Sequence, residues 1–505
     1  MDLWSLRNHD PRPEQVKIIN EIRSALESDY TNIILEAGTG IGKSPIATTV
    51  ARYADSSYIL TMTNQLQNQY LTDFSWLVDT MKGRRNYSCN YGGTCQVCQM
   101  EKENEYKCSD CEYLTALRHA QNSNILLTNY DYLFYAGNYA KQFDKRDLII
   151  FDEAHNFEKK IMSLVTTNVN RHTVWDRYGF DIFEHVAKRG ALKDINNSEY
   201  WTNILGKCLD KEKEVVCTDE HEQKIQDANL DKFARMIGSL ENEEFVIELP
   251  LRKEILEDKD KTARLKMELK PLSSREHSDK LLQFGNHRLF MTGTLGNKQL
   301  FCNWNGLDPE DTYYIYQKSP FPVENRPIIR KYVCSMKQDG WRNHHIIKYI
   351  KKIIDSHNGE KGVIHTSSNQ QAWFVKKQLN SRSVWVAQGN TREDTIKRFE
   401  ESDYPLTLVG AGLKDGVDFK GDKCRYQILF KVPYPSIGSQ QVKIRKNQDI
   451  EWYIYQTIMP IMQSYGRGIR DENDFCKMYI LDEDFEYLIS EYNYFFNEYF
   501  LEAIQ

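Results

Sequence analysis

Long apolar runs are missing from this chain: none approaches the roughly 18 residues that a membrane helix requires. The amino-terminal MDLWSLRNHDPRPEQ lacks the basic-then-apolar order of a secretory signal. The expectation is a cytoplasmic protein, or a nuclear one in a eukaryote. An excess of positive charge is missing too. With 66 Lys and Arg against 72 Asp and Glu, the formal net charge is −6, so no global basic field attracts a polyanion. Such a site would need local clusters, and KGRR (82–85), KYIKK (348–352) and KIRK (443–446) are the candidates. Internal repeats and low-complexity tails are absent as well. What remains is ordinary composition, 40% hydrophobic and 27% charged, over 505 residues, enough for three or four domains. Cysteine is sparse and uneven. Of 11, five lie between Cys89 and Cys111. In a reducing compartment such a knot reads as metal ligation, not disulfides.

What is present begins with EAGTGIGKSPIATT, Glu36 to Thr49. NIIL (32–35) before it reads as a buried strand, and SPIATTVARYA after it as a helix with Pro45 near its start. A strand, a glycine loop and a helix start make a phosphate cradle, because glycines admit close backbone N–H groups and the helix end favours negative charge. Residues Ala37, Gly38, Thr39, Gly40, Ile41 and Gly42 form the loop. Lys43 reaches the β- and γ-phosphates, and Ser44 holds Mg²⁺. The motif is A-x-T-G-x-G-K-S, with Ala37 where the general pattern has glycine.

An acidic element follows in RDLIIFDEAH (146–155). LIIF reads as a strand, and Asp152 and Glu153 stand at its carboxyl end, where ligands bind in open α/β sheets. Asp152 suits Mg²⁺ and Glu153 the attacking water, so the pair of motifs predicts NTP hydrolysis. In QSYGRGIRDEND (463–474), Gln463, Arg467 and Arg470 have the Q-x-x-G-R-x-x-R spacing of a γ-phosphate sensor, and arginine's fork suits a transferring phosphoryl group. RLFMTGTLGN (288–297) offers Thr292 and Thr294 as a link from nucleotide to strand track; with His155 and Gln463, Thr292 is expected to couple hydrolysis to movement. KGVIHTSSNQQAWFVKKQL (361–379) reads as strand, turn and helix opening a second lobe, and Gly416 and Asp418 lie in a further motor-like loop.

The cysteine spacing is C-x5-C-x2-C-x9-C-x2-C. Two C-x2-C pairs suggest a tetrathiolate zinc knuckle, which strands Cys89; a four-thiolate iron–sulfur cluster uses the same donors. Beside the knot, Arg84 and Arg85 are candidates for phosphate contact, and Tyr87 and Tyr113 for base stacking or for packing.

Together these strings resemble the XPD/DinG family of iron–sulfur helicases within superfamily 2. The likeness extends to RPEQ (12–15), KGRRNYSC (82–89), CEYLTALRHAQNSNILLTNYDYL (111–133), SPFPVENRP (319–327) and GVDFKGD (416–422). Lys414 and Asp415 depart from its usual pattern before the glycine, and T-G-T replaces S-A-T in the third motif. The resemblance implies an α/β fold of two RecA-like lobes, with a cluster domain and a helical arch inserted in the first. Lobe one would take 1–80, 119–156 and 273–318, the cluster domain 81–118, the arch 157–272 and lobe two 319–505. It implies a [4Fe-4S] cluster on Cys89, Cys95, Cys98 and Cys111, with Cys108 as the alternative last ligand. It also implies Gln15 at the nucleotide, ATP and Mg²⁺ as cofactors, and 5′→3′ movement of a monomer on single-stranded DNA, in repair or related DNA metabolism. The alternatives are an RNA or RNA–DNA hybrid helicase, a zinc-stabilised translocase, and an ATP-controlled scaffold recruiting a protein through the helical insertion. EYNYFFNEYF (491–500) is expected to pack rather than bind.

Overall fold

Sixteen strands form three sheets among the residues that the computed structural model describes, which are 4–7, 9–89, 93–95, 111–184, 198–241, 244–413, 419, 421–469 and 471–505. The first sheet uses β1 (Asn32–Ala37), β2 (Ser57–Thr61), β3 (Asp79–Thr80), β4 (Ile125–Asn129) and β5 (Arg146–Phe151). After an insertion it is completed by β9 (Gly285–Thr292) and β10 (Thr312–Gln317). All pairings are parallel, in the order β10-β1-β9-β5-β2-β4-β3. Parallel strands need both faces covered, and the sequence supplies apolar residues on both. Ile34, Phe151 and Phe290 enter one core, while their neighbours Ile33, Leu35, Ile150 and Met291 enter the other.

The second sheet is also parallel, ordered β11-β16-β15-β12-β14-β13. Its strands are β11 (Ile328–Cys334), β12 (Gly362–Thr366), β13 (Val384–Val386), β14 (Thr407–Ala411), β15 (Tyr426–Leu429) and β16 (Lys477–Asp482). Tyr465, Phe485, Phe495, Tyr499 and Phe500 are buried together against it, so the carboxyl-terminal aromatics pack. The fold is thus α/β with two RecA-like lobes, as the motifs imply.

The interval expected to be helical is mixed. Helices Ser198–Lys213 and Glu220–Leu240 are present, but β6 (Thr167–Asn170), β7 (Phe245–Glu248) and β8 (Lys266–Pro271) form an antiparallel sheet, ordered β6-β8-β7. KMELKP buries Met267, Leu269 and Pro271 in strict alternation, a period of two masked by the helical spacing of residues around it. Helix Phe157–Val165, at the head of that interval, instead buries Phe157, Ile161 and Leu164 in the first lobe.

The insertion also meets the second lobe. Glu248 ends β7 and accepts from Ser439 Oγ at 3.0 Å and the Gln440 N–H at 3.2 Å, at the start of helix Gln440–Gln448. Gln441 Nε2 donates to the Pro271 carbonyl at 2.6 Å. No helix among the described residues is long and apolar enough to cross a membrane.

Candidate nucleotide site between the lobes

β1 delivers the glycine loop at its carboxyl end, and helix Lys43–Ala51 leaves from it. Gly40 and Gly42 have φ of 90° and 81°, left-handed values that L side chains rarely adopt. Space agrees with torsion: a Cβ on Gly40 would lie 2.3 Å from the Phe321 ring. Gln15 lies beneath the loop. Its Nε2 donates to the Ile41 carbonyl at 2.8 Å and its Oε1 accepts from Arg12 N at 2.8 Å, so both ends of the amide hold the loop and the helix that precedes it. Lys43 Nζ donates to the Ala37 carbonyl at 3.2 Å, beside Gly293.

β5 delivers Asp152 and Glu153. Tyr70 Oη donates to Asp152 Oδ2 at 3.1 Å, and Tyr130 Oη to the Asp152 carbonyl at 3.0 Å. Burial, and then the Glu153 charge, push the Asp152 carboxyl up to about 6, against the pull of Lys43. Glu153 has φ of 53°, a left-handed backbone in a non-glycine residue. Such strain collects at working sites. His155 Nδ1 lies 3.0 Å from Thr292 Oγ1 and 3.4 Å from Glu153 Oε2. Asn156 Nδ2 donates to His155 Nε2 at 2.7 Å, and Thr292 Oγ1 donates to the Thr294 carbonyl at 2.8 Å. His155 thus joins the acidic motif to the third motif through its two ring nitrogens.

The second lobe closes on this loop. Thr39 Oγ1 reaches the Gly466 carbonyl at 3.5 Å, one residue before Arg467, and Ser319 Oγ donates to the Thr39 carbonyl at 2.7 Å. Gln463 and Arg467 are partly exposed at the seam. Arg470, Gly416 and Asp418, and the departures at Lys414 and Asp415, lie outside the described residues. Two further carboxylates at the seam have no sequence signature. Glu36 accepts from Tyr314 Oη at 2.7 Å and from Asn497 Nδ2 of the second lobe at 3.4 Å, and burial raises its carboxyl above the ordinary range. Glu158, in the helix after His155, accepts from Trp452 Nε1 at 3.0 Å and Gln456 Nε2 at 3.1 Å and pairs with Arg445. Arg445 is therefore buried, and of the KIRK cations only Lys443 and Lys446 remain open to solvent.

Chemically, the glycine cradle, the Lys43 ammonium, the Ser44 hydroxyl and an acidic pair are a fitting donor set for a nucleotide triphosphate and a hard divalent cation. A carboxyl poised near 6 is largely ionised at neutral pH and can then face such a cation.

The cysteine segment is described in part. Cys89 N donates to the Gly93 carbonyl at 3.2 Å and Cys95 N to the Tyr87 carbonyl at 3.0 Å, closing a tight loop. Cys95 and Cys111 Sγ atoms are 3.7 Å apart. Two thiolates on one tetrahedral ion, with bonds of about 2.3 Å, would stand about 3.8 Å apart, so this pair fits a thiolate-bound metal. Among the described residues no third Cys, His, Asp or Glu joins them, and Cys98 and Cys108 lie outside those residues. Tyr113 is buried, its hydroxyl 3.0 Å from that of Tyr132; Tyr87 meets its ring edge-on at 5.6 Å and Arg84 lies 5.0 Å above it. These tyrosines pack on one another.

Comparison with known proteins agrees with this architecture. Residues 350–497 match the helicase C-terminal domain family, and residues 8–176 match the family described as type III restriction enzyme, res subunit. The chain is 23% identical to a probable ATP-dependent helicase of Methanocaldococcus jannaschii over 587 residues, covering 90% of this chain and 89% of the relative. It is 22% identical to the ATP-dependent DNA helicase XPD of Sulfolobus acidocaldarius over 441 residues, 75% and 72% of the two chains. A solved XPD helicase superposes with a TM-score of 0.64 at 17% identity, covering 95% of this chain and 98% of that one. Fold and site describe a two-lobed α/β protein of XPD-like architecture with a nucleotide cradle at the seam, whose second lobe matches the helicase C-terminal domain family. Over most of its length the chain is similar to these ATP-dependent helicases, XPD among them.

Proposed function

We propose that this protein is a DEAH-type, ATP-driven DNA helicase that moves 5′→3′ on single-stranded DNA and opens duplex ahead of it, as a monomer in DNA repair or related DNA metabolism. One observation carries the reading: the Thr39–Gly466 contact, which sets the arginine motif of one lobe against the glycine loop of the other. The names of the two archaeal relatives support it.

In this reading the backbone of Gly38 to Gly42 cradles the phosphates and Lys43 neutralises them. Ser44 and Asp152 would hold Mg²⁺, which would supply neutralisation of the charge developing on the phosphates. Glu153 orients the attacking water, and Arg467 and Arg470 stabilise charge on the transferring group. His155 and Thr292 pass the state of the site to the strand track. Gln15 acts by holding the loop, and Gln463 by its place at the seam. Strand grip rests on phosphate contacts and is salt-sensitive.

Lys43→Ala abolishes DNA-stimulated ATPase, and Arg467→Ala lowers it about 10³-fold, while both variants melt like the parent. Unwinding is measured on 5′-tailed and 3′-tailed DNA, RNA and hybrid duplexes. Separation of the 5′-tailed DNA alone supports the proposal. Preference for RNA or hybrid, or ATPase with no unwinding, replaces it with the corresponding alternative.

A second reading concerns the cysteine segment. The resemblance implies a [4Fe-4S] cluster on Cys89, Cys95, Cys98 and Cys111, with Cys108 as alternative. The Cys95–Cys111 spacing favours a single zinc ion, because in a cubane each cysteine takes its own iron and stands wider apart. Either group would tie together a segment too small for its own core. Iron and zinc quantification after anaerobic purification decides between them.

A further inference from the structure

The deepest polar contact across the seam lies away from the nucleotide. Glu158 sits in the first turn of helix Phe157–Val165, three residues past His155. Among the described residues, its side-chain hydrogen-bond partners all come from the other lobe. Arg445 of helix Gln440–Gln448 pairs with Oε1. Trp452 Nε1 lies 3.0 Å and 3.2 Å from the two oxygens, and Gln456 Nε2 donates at 3.1 Å. The Arg445 guanidinium is stacked 3.7 Å above the Trp452 ring, so the cation is held from two sides. Glu158 and Arg445 side chains are 7% and 9% exposed.

Three physical points follow. A carboxylate facing only donors is the one acidic side chain shape that satisfies the site; an amide there would turn its NH₂ toward an indole or amide N–H. A buried pair of this kind is hard to break, because either partner left alone is an unpaired charge out of water. Trp452, Gln456 and Gln463 lie on one face of helix Ile450–Tyr465, since steps of four and seven residues return to nearly the same side. The face that Glu158 grips is therefore the face that carries the start of the arginine motif.

We propose that Glu158 is a positioning residue: it fixes the lobe-two helix to the helix that follows the acidic motif, forming a permanent joint about which the lobes turn and which sets where Arg467 falls on the γ-phosphate. The proposal rests on the ATPase reading above and names a residue beyond its motifs. Glu158 touches neither nucleotide nor metal, so its loss leaves the cradle intact. Nucleotide affinity is kept and turnover is lost.

The experiment uses the full chain with Glu158→Gln, Arg445→Ala, the double variant, and Tyr455→Phe as a neighbouring control whose buried hydroxyl has no hydrogen-bond partner among the described residues. Fluorescent ATP-analogue affinity, steady-state ATPase on single-stranded DNA and melting temperature are read for each. The expected result is a kcat lowered at least tenfold in Glu158→Gln, with analogue affinity within twofold of the parent. Arg445→Ala falls similarly, the double variant is no worse than the poorer single, and Tyr455→Phe stays within twofold throughout. An unchanged kcat in a folded Glu158→Gln overturns the proposal. So does additive loss in the double variant, or a loss of affinity that parallels a loss of melting temperature. If the parent itself hydrolyses no ATP, the functional reading fails instead, and the Lys43→Ala comparison reports that separately.

Discussion

Asp152 is held near 6 by burial and by Glu153, and that number has a direction. A carboxyl whose proton is held more tightly than usual is protonated below about pH 6, and in that form it cannot bind a cation. ATPase is expected to fall as pH drops through this value, by about tenfold per unit on the steep limb. Magnesium competes with the proton, so raising its concentration moves the limb to lower pH. A pH–rate profile at two Mg²⁺ concentrations reads this directly, and a limb that ignores Mg²⁺ removes Asp152 from the metal site. Tyr70 and Tyr130 contribute by holding the aspartate from side chain and backbone. Nothing in their local sequence marks them, since their role depends on strands that meet only in the folded sheet.

At the scale of elements, helix Gln440–Gln448 has Ser439 as its own N-cap and a second one, Glu248, from the insertion. Glu248 places negative charge where that helix leaves N–H groups unpaired, an interaction of about 0.3–1 kcal/mol. Glu248→Gln is expected to lower the melting temperature slightly and to speed hydrogen exchange at the start of that helix. If exchange there is unchanged, the insertion and lobe two are not coupled through this cap. The same region marks the limit of sequence reading. The strand–glycine loop–helix unit, the acidic motif after β5 and the strand–turn–helix at 361–379 were legible, because each is a contiguous pattern whose chemistry requires that spacing. FVIE and most of KMELKP fall in stretches whose apolar residues recur at helical spacing, in the interval expected to be a helical arch; only pairing across the insertion makes them strands. Glu36 and Glu158 gave no local signal, since their partners are hundreds of positions away.

For the whole molecule, the flanks of the cysteine segment are held by protein contacts. Met81 and Tyr87 before it, and Tyr113 and Leu117 after it, pack on the first lobe's core. Removing the metal proposed for the cysteines is therefore expected to leave the sheets folded. Chelation should raise the number of thiols that react with a disulfide reagent and abolish duplex unwinding, while far-ultraviolet circular dichroism and ATPase are largely retained. Global loss of helical signal on chelation would show that the metal supports the motor core as well.

The strap that joins the lobes has a geometric consequence. Ser319 and Phe321 lie directly on the glycine loop, so the covalent connection runs past the nucleotide. A solid body held at that crossing and at the proposed Glu158 joint, with the Glu36 and Glu248 contacts released, would keep one freedom, rotation about the line through both. The machine would then have a single angle to vary, and its far rims would swing through arcs many times wider than anything felt at the phosphates.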